Sequence, residues 1–107
     1  MNLVVLIGRL GRDPELKCTS TDKMVCTFSI ATNEKLPRGK SREEKVTWHR
    51  VVAWENLAEQ ARTLKKGQLV QIEGSLRTDK WRDRDGNDRE SLQVMAQRLR
   101  TLDGKEF

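Results

Sequence analysis

Residues 46–74 read VTWHRVVAWENLAEQARTLKKGQLVQIEG, and this stretch decides the fold. In its first part Thr47, His49, Val51 and Ala53 alternate with Val46, Trp48, Arg50, Val52 and Trp54. Successive side chains of a strand point to opposite faces, so the pattern is a strand with one apolar face and one face of tryptophan and arginine. Glu55 to Lys66 changes period. Leu57, Ala58, Ala61 and Leu64 form a helical stripe, with Glu55 and Glu59 toward the N-terminus and Lys65 and Lys66 at the C-terminus, as the helix dipole favours. Gly67 is expected to supply a left-handed cap. Leu69 to Trp81 returns to period two: Val70, Ile72, Gly74 and Leu76 share one face, and Gln71, Glu73, Ser75, Arg77 and Trp81 the other.

Outward from this strand–helix–strand core the chain reads as strands alone. Leu3 to Ile7 is apolar at every position and implies burial on both faces. One face would line a core, and the other would need a covering, for which a partner subunit is a natural choice. Gly11-Arg12-Asp13-Pro14 reads as a turn. Met24 to Thr32 alternates Met24, Cys26, Phe28 and Ile30, directed inward, with Val25, Thr27, Ser29 and Ala31. Asn33 to Lys45 reads as a mobile charged loop. Downstream, Asp85-Gly86 signals a hairpin turn, and Asp88 to Thr101 returns as the last strand with Leu92, Val94 and Leu99. The expected fold is all-β: a five-stranded OB-fold barrel with one α-helix between the third and fourth strands, an order that binds oligonucleotides on one face. The expected domain covers 1–102, with 103–107 as a short C-terminal end.

The chain has 107 residues, the length of one domain. It carries 21 Lys and Arg against 16 Asp and Glu, a net charge of +5 that suits a polyanion. Cys18 and Cys26 are the only cysteines, which makes neither a disulfide framework nor a zinc site. Both are expected reduced in or near the barrel wall. No run approaches the roughly 18 apolar residues of a membrane helix, and the N-terminus lacks a signal peptide's basic region. A bacterial cytoplasm, at the nucleoid, is the expected location.

The three tryptophans carry the functional reading. Trp48 and Trp54 are six positions apart on one strand and so share a face, roughly 20 Å apart at about 3.3 Å per residue. That is too far for mutual stacking and suits separate bases. Arg50 lies between them. Trp81 repeats the arrangement, with Arg77 on its face and Lys80, Arg82 and Arg84 nearby. Aromatic platforms interleaved with cations suit single strands, because every base has a π-face and duplexes hide theirs. The expected base-stacking residues are Trp48, Trp54 and Trp81, and the expected phosphate contacts are Arg50, Arg77, Lys80, Arg82 and Arg84.

The chain resembles the bacterial single-stranded-DNA-binding protein family along nearly its whole length. The matching segments are Asn2 to Glu15, Phe28 to Glu34, Thr47 to Trp54 with Leu57-Ala58-Glu59, Leu64 to Gly67, and Val70 to Thr78. Trp81, Gly86 and Asp88-Arg89 extend the match. The resemblance implies an OB-fold homotetramer built as a dimer of dimers, wrapped by single-stranded DNA. It places Trp48 and Trp81 where members stack bases, and Trp54 where members usually have phenylalanine. It puts the first strand (Leu3, Val5 and Ile7) and His49 at subunit interfaces. Two departures stand out. Some members carry a further tryptophan after the second strand, where Asn33 to Arg38 stands here. Full-length members run on through a Gly/Pro/Gln-rich linker to an acidic tip, where this sequence reads Asp103 to Phe107, so weak recruitment of protein partners is expected.

No catalytic site is expected. His49 is the only histidine and has no second imidazole with which to bind metal or share a proton. Asp83 to Asp88 resembles a calcium loop, but Val94 occupies the position of its distal glutamate, and a solvated hairpin tip is expected. No cofactor is expected, and no membrane partner. The function expected is sequence-nonspecific binding and protection of single-stranded DNA in replication, recombination and repair. An OB-fold interaction subunit of a replication-restart or recombination complex is the alternative.

Overall fold

The computed structural model describes residues 1–35 and 44–103. Its elements are β1 (Val4–Leu10), β2 (Glu15–Cys18), β3 (Met24–Lys35), β4 (Glu44–Trp54), α1 (Asn56–Ala61), β5 (Leu69–Arg82) and β6 (Asp88–Thr101). The sheet order is β1-β5-β6-β4-β3-β2, and a further β1–β3 pairing closes it. That pairing joins Arg9 to Ala31 and Leu10 to Ile30. Five strands thus form the expected barrel, with β2 added outside on β3. All ladders are antiparallel except β4–β6, joined at Val51↔Val94 and Val52↔Met95.

The alternation read from the sequence sets which side chains fill the barrel. Cys26, Phe28, Ile30, Val51, Ala53, Val70, Ile72, Val94 and Ala96 are buried in one cluster with Leu10. Burial pushes the Cys26 thiol up from its ordinary pKa, because desolvation disfavours the thiolate. Cys18 is a free thiol on exposed β2. The apolar stripe of the helical segment closes the core: Ala58 and Ala61 are fully buried and Leu64 nearly so.

The helix is shorter than expected. Glu55 sits at φ 54°, in the left-handed region, so helical geometry starts only at Asn56. After Ala61 the chain tightens into three-residue turns, with Thr63 N–H on Gln60 O at 3.2 Å and Leu64 N–H on Ala61 O at 3.1 Å. Lys65 and Lys66 therefore lie past the helix rather than in its last turn. Gly67, at φ +84°, serves the turn into β5 and not the helix end.

Three other differences concern the strands. Glu15 to Cys18, to which the sequence pattern assigns no element, is a strand paired with Met24 to Thr27. β3 and β4 extend their ladder to Lys35↔Glu44, so the ends of the expected charged loop are strand, while its remainder, 36–43, lies outside the described residues. Residues 104–107 lie outside them as well. Finally Leu76, grouped with the core-facing residues of its strand, is 43% exposed. β5 and β6 run on past the barrel as a two-stranded arm, where the inward direction no longer meets a core. A register shift between Glu73 and Gly74 prepares this departure. Gly74 lies against the Met95 backbone carbonyl, where no side chain fits.

Candidate nucleic-acid interface

Directly opposed residues of a ladder point to the same side of a sheet. Val52 on β4 opposes Met95 on β6, and Met95 opposes Ser75 on β5. Alternation from Val52 puts Trp48, Arg50 and Trp54 on that side. Alternation from Ser75 adds Arg77, Asp79 and Trp81. The three tryptophans therefore share the outer face of the sheet across β4, β6 and β5. All three are exposed: Trp48 by 59%, Trp81 by 47% and Trp54 by 36%. Val51 and Ala53, on the opposite face of β4, are fully buried, so the core is filled without the indoles.

Beside these platforms the floor is low. Across β3 the partners of Trp48, Arg50, Val52 and Trp54 are Ala31, Ser29, Thr27 and Val25. The chain between β1 and β2 rises along the far side. The result is a groove of about 510 Å³ whose lining includes Gly11, Arg12, Glu15, Ser29, Trp48 and Arg50. Arg12 and Gly11 come to the groove from Gly11 to Pro14, a segment whose sequence signals only a turn. Arg12 stands in a basic chain, inside the family-like segment Asn2 to Glu15, and that is the one signal it offers.

The expected phosphate-binding residues divide between faces. Arg50 and Arg77 share the tryptophan face. The Arg77 Nε–H donates to Ser75 Oγ at 3.3 Å, using one of its five donors. Lys80 and Arg82 alternate with Trp81 and project to the other face of the arm. The Arg82 Nε–H also meets Asp88 Oδ1 at 3.3 Å. Arg84 is exposed at the hairpin tip, between Asp83 and Asp85.

The tip is organised by Asp83. Its Oδ1 accepts the Asp85 and Asn87 amides at 3.0 and 2.9 Å, and its Oδ2 accepts Arg89 Nε–H at 2.8 Å. These contacts, the Arg89 bond foremost, hold the Asp83 carboxyl below the usual carboxylate range. A carboxylate so engaged serves the turn. Among the described residues, no group of three or more His, Cys, Asp or Glu side chains is placed to hold a metal ion.

The residues expected at subunit interfaces also separate. Leu3, just before β1, and Val5 and Ile7 on it project outward, 60%, 53% and 52% exposed. His49 lies half-buried on the barrel-interior face of β4, with its Nε2 2.8 Å from Thr32 Oγ1. No helix among the described residues is long and apolar enough to cross a membrane.

Known proteins are similar to this chain. Two single-stranded DNA-binding proteins of Neisseria meningitidis, from serogroups A and B, are each 40% identical over 98% of this chain. The chain spans 62% of the length of these curated relatives. A Plasmodium falciparum SSB, solved in complex with ssDNA, superposes with a TM-score of 0.84 at 32% identity, covering 96% of both chains. Residues 1–102 match the model of the single-strand binding protein family. With barrel, helix and outer tryptophan face all in the order its sequence segments imply, the chain belongs to the single-strand binding protein family.

Proposed function

We propose that this chain binds single-stranded DNA without strong sequence preference, stacking bases on Trp48, Trp54 and Trp81. The observation that carries the reading is the placement of three exposed indoles on one face of the sheet, with Arg50 and Arg77 among them. Stacking on each is worth about 1–3 kcal/mol per base and is blind to sequence. Arg50 and Arg77 neutralise phosphates along that face, and Lys80, Arg82 and Arg84 do so where the strand crosses the arm. The relatives are named as DNA-binding proteins, and we assign no catalytic step to the chain. A ligand of this kind fits work in replication, recombination and repair, at the nucleoid of a bacterial cytoplasm.

We further propose a homotetramer, a dimer of dimers. Leu3, Val5 and Ile7 form an outward apolar stripe at the start of β1 and just before it, and a second copy of the chain is its covering. The same proposal puts His49, on the far side of the sheet from the tryptophans, at a subunit contact. The test of DNA binding is a tryptophan-fluorescence titration with oligo(dT) and with duplex DNA at two salt concentrations. Strong quenching by oligo(dT) alone, weakened by salt, is expected. Equal quenching by duplex overturns the reading.

A further inference from the structure

Four of the described glycines are explained by the backbone. Gly67 and Gly86 have φ of +84° and +82°, with open space where a Cβ would stand. Gly8 and Gly74 lie against the backbone carbonyls of Ala31 and Met95. Gly11 fits neither case. Its φ is outside the left-handed region, and what blocks a Cβ there is a side chain. A Cβ on Gly11 would stand 2.6 Å from Cζ3 and 2.7 Å from Cη2 of Trp48, well inside the roughly 3.5–4.0 Å at which carbon atoms rest.

Gly11 cannot retreat to make room. Its N–H donates to Ser29 O at 3.2 Å. Leu10 before it is buried, donates its N–H to Gln68 O at 3.1 Å and accepts the Gly67 amide at 2.8 Å. Two residues on, the Asp13 carboxylate accepts the Lys66 amide at 2.9 Å. The indole, by contrast, is more than half exposed, and its cross-strand neighbour Ala31 is too small to confine it. The ring is the partner that would yield.

We propose that Gly11 is a positioning residue for Trp48: its bare Cα is the wall on which the outer edge of the indole's six-membered ring rests, setting the ring's angle over the groove. The proposal rests on the reading of Trp48 as a base platform. A platform held in place before DNA arrives avoids the cost of ordering a long side chain on binding. The contact joins residues 37 positions apart, so it ties the turn after β1 to the stacking surface of β4.

The test is a double-mutant cycle read by oligo(dT) affinity and by Trp48 emission. Gly11→Ala is expected to weaken binding about fivefold or more, the lower range of one lost stack. In a Trp48→Phe background the same change is expected to alter affinity less than twofold, because phenyl lacks the second ring that reaches Gly11. Equal losses in both backgrounds overturn the proposal. In DNA-free protein carrying Trp54→Phe and Trp81→Phe, Gly11→Ala is expected to shift the emission of Trp48. If Trp48→Ala binds DNA as the parent does, the stacking reading is what fails. The DNA-free emission then decides the positioning alone: a shift upholds it and no shift overturns it. Should Gly11→Ala not fold, the double variant with Trp48→Phe is expected to fold, and its failure places the clash in the backbone and overturns the proposal.

Discussion

Asp83 and Arg89 meet at 2.8 Å across the mouth of the β5–β6 hairpin, and Arg89 stands directly opposite Trp81 in the ladder. The outermost platform is thus braced by a carboxylate two residues away. Asp83 also ties down the Asp85 and Asn87 amides of the turn. The turn and the tryptophan are one mechanical unit on an arm that, among the described residues, has no core beneath it.

This brace has a defined pH window. The Asp83 pKa is lowered in the folded chain, first by Arg89, so folding is favoured while the group is ionised in both states. The contribution is fully present above the unfolded value, near 3.9, and is lost as pH falls through the depressed folded value. Amide shifts of Gly86 and Asn87 followed by NMR are expected to stay constant from pH 8 to about pH 4.5 and to move only below that. Movement centred near pH 6 would assign the tip to another group.

Single Trp→Ala changes at 48, 54 and 81 are each expected to weaken oligo(dT) binding by roughly 1–3 kcal/mol. Thermal stability is expected to fall least for Trp48→Ala, whose indole is 59% exposed, and most for Trp54→Ala, at 36%. Equilibrium titration beside a melting curve checks both. Wild-type affinity in all three variants would put the DNA on another face.

The split of cations between faces makes an electrostatic prediction. Arg50→Ala and Arg77→Ala should each reduce the log–log salt slope by about 0.7, the value for one phosphate of a single strand. Arg82→Ala should reduce it less, because Arg82 Nε–H is already shared with Asp88. Titrations from low to moderate salt measure the slopes, and a larger effect at Arg82 than at Arg50 would reroute the strand over the arm's opposite face.

Val5→Glu should break the assembly. It places a charge in the middle of the Leu3, Val5 and Ile7 stripe, where a partner's apolar face would leave it unpaired and desolvated. Light scattering is expected to show a tetramer for the parent chain and a smaller species for the variant, with circular dichroism unchanged. A monomeric parent at micromolar concentration would remove the proposed covering.

What was legible in the sequence follows from a local rule. Alternation along a single strand needs only neighbouring residues, so Trp48 and Arg50 could be set against Val51 and Ala53, and Trp81 and Arg77 against Ile72, before any coordinates. The helical stripe of Ala58, Ala61 and Leu64 was legible for the same reason. Its length was not, because the left-handed Glu55 is imposed where β4 turns under the barrel, its amide held by Met24 O at 2.9 Å. β2 was not legible because Glu15 to Cys18 has no buried face; its strand character comes from the edge of β3, which supplies its partners. That Trp48, Trp54 and Trp81 lie on one face depends on the register of Val52, Met95 and Ser75, residues brought together from three distant segments. The contact of Gly11 with Trp48 arises the same way. A chain records its own periodicity in sequence, but which strands lie side by side, and in what register, is decided only when the closing barrel buries its core.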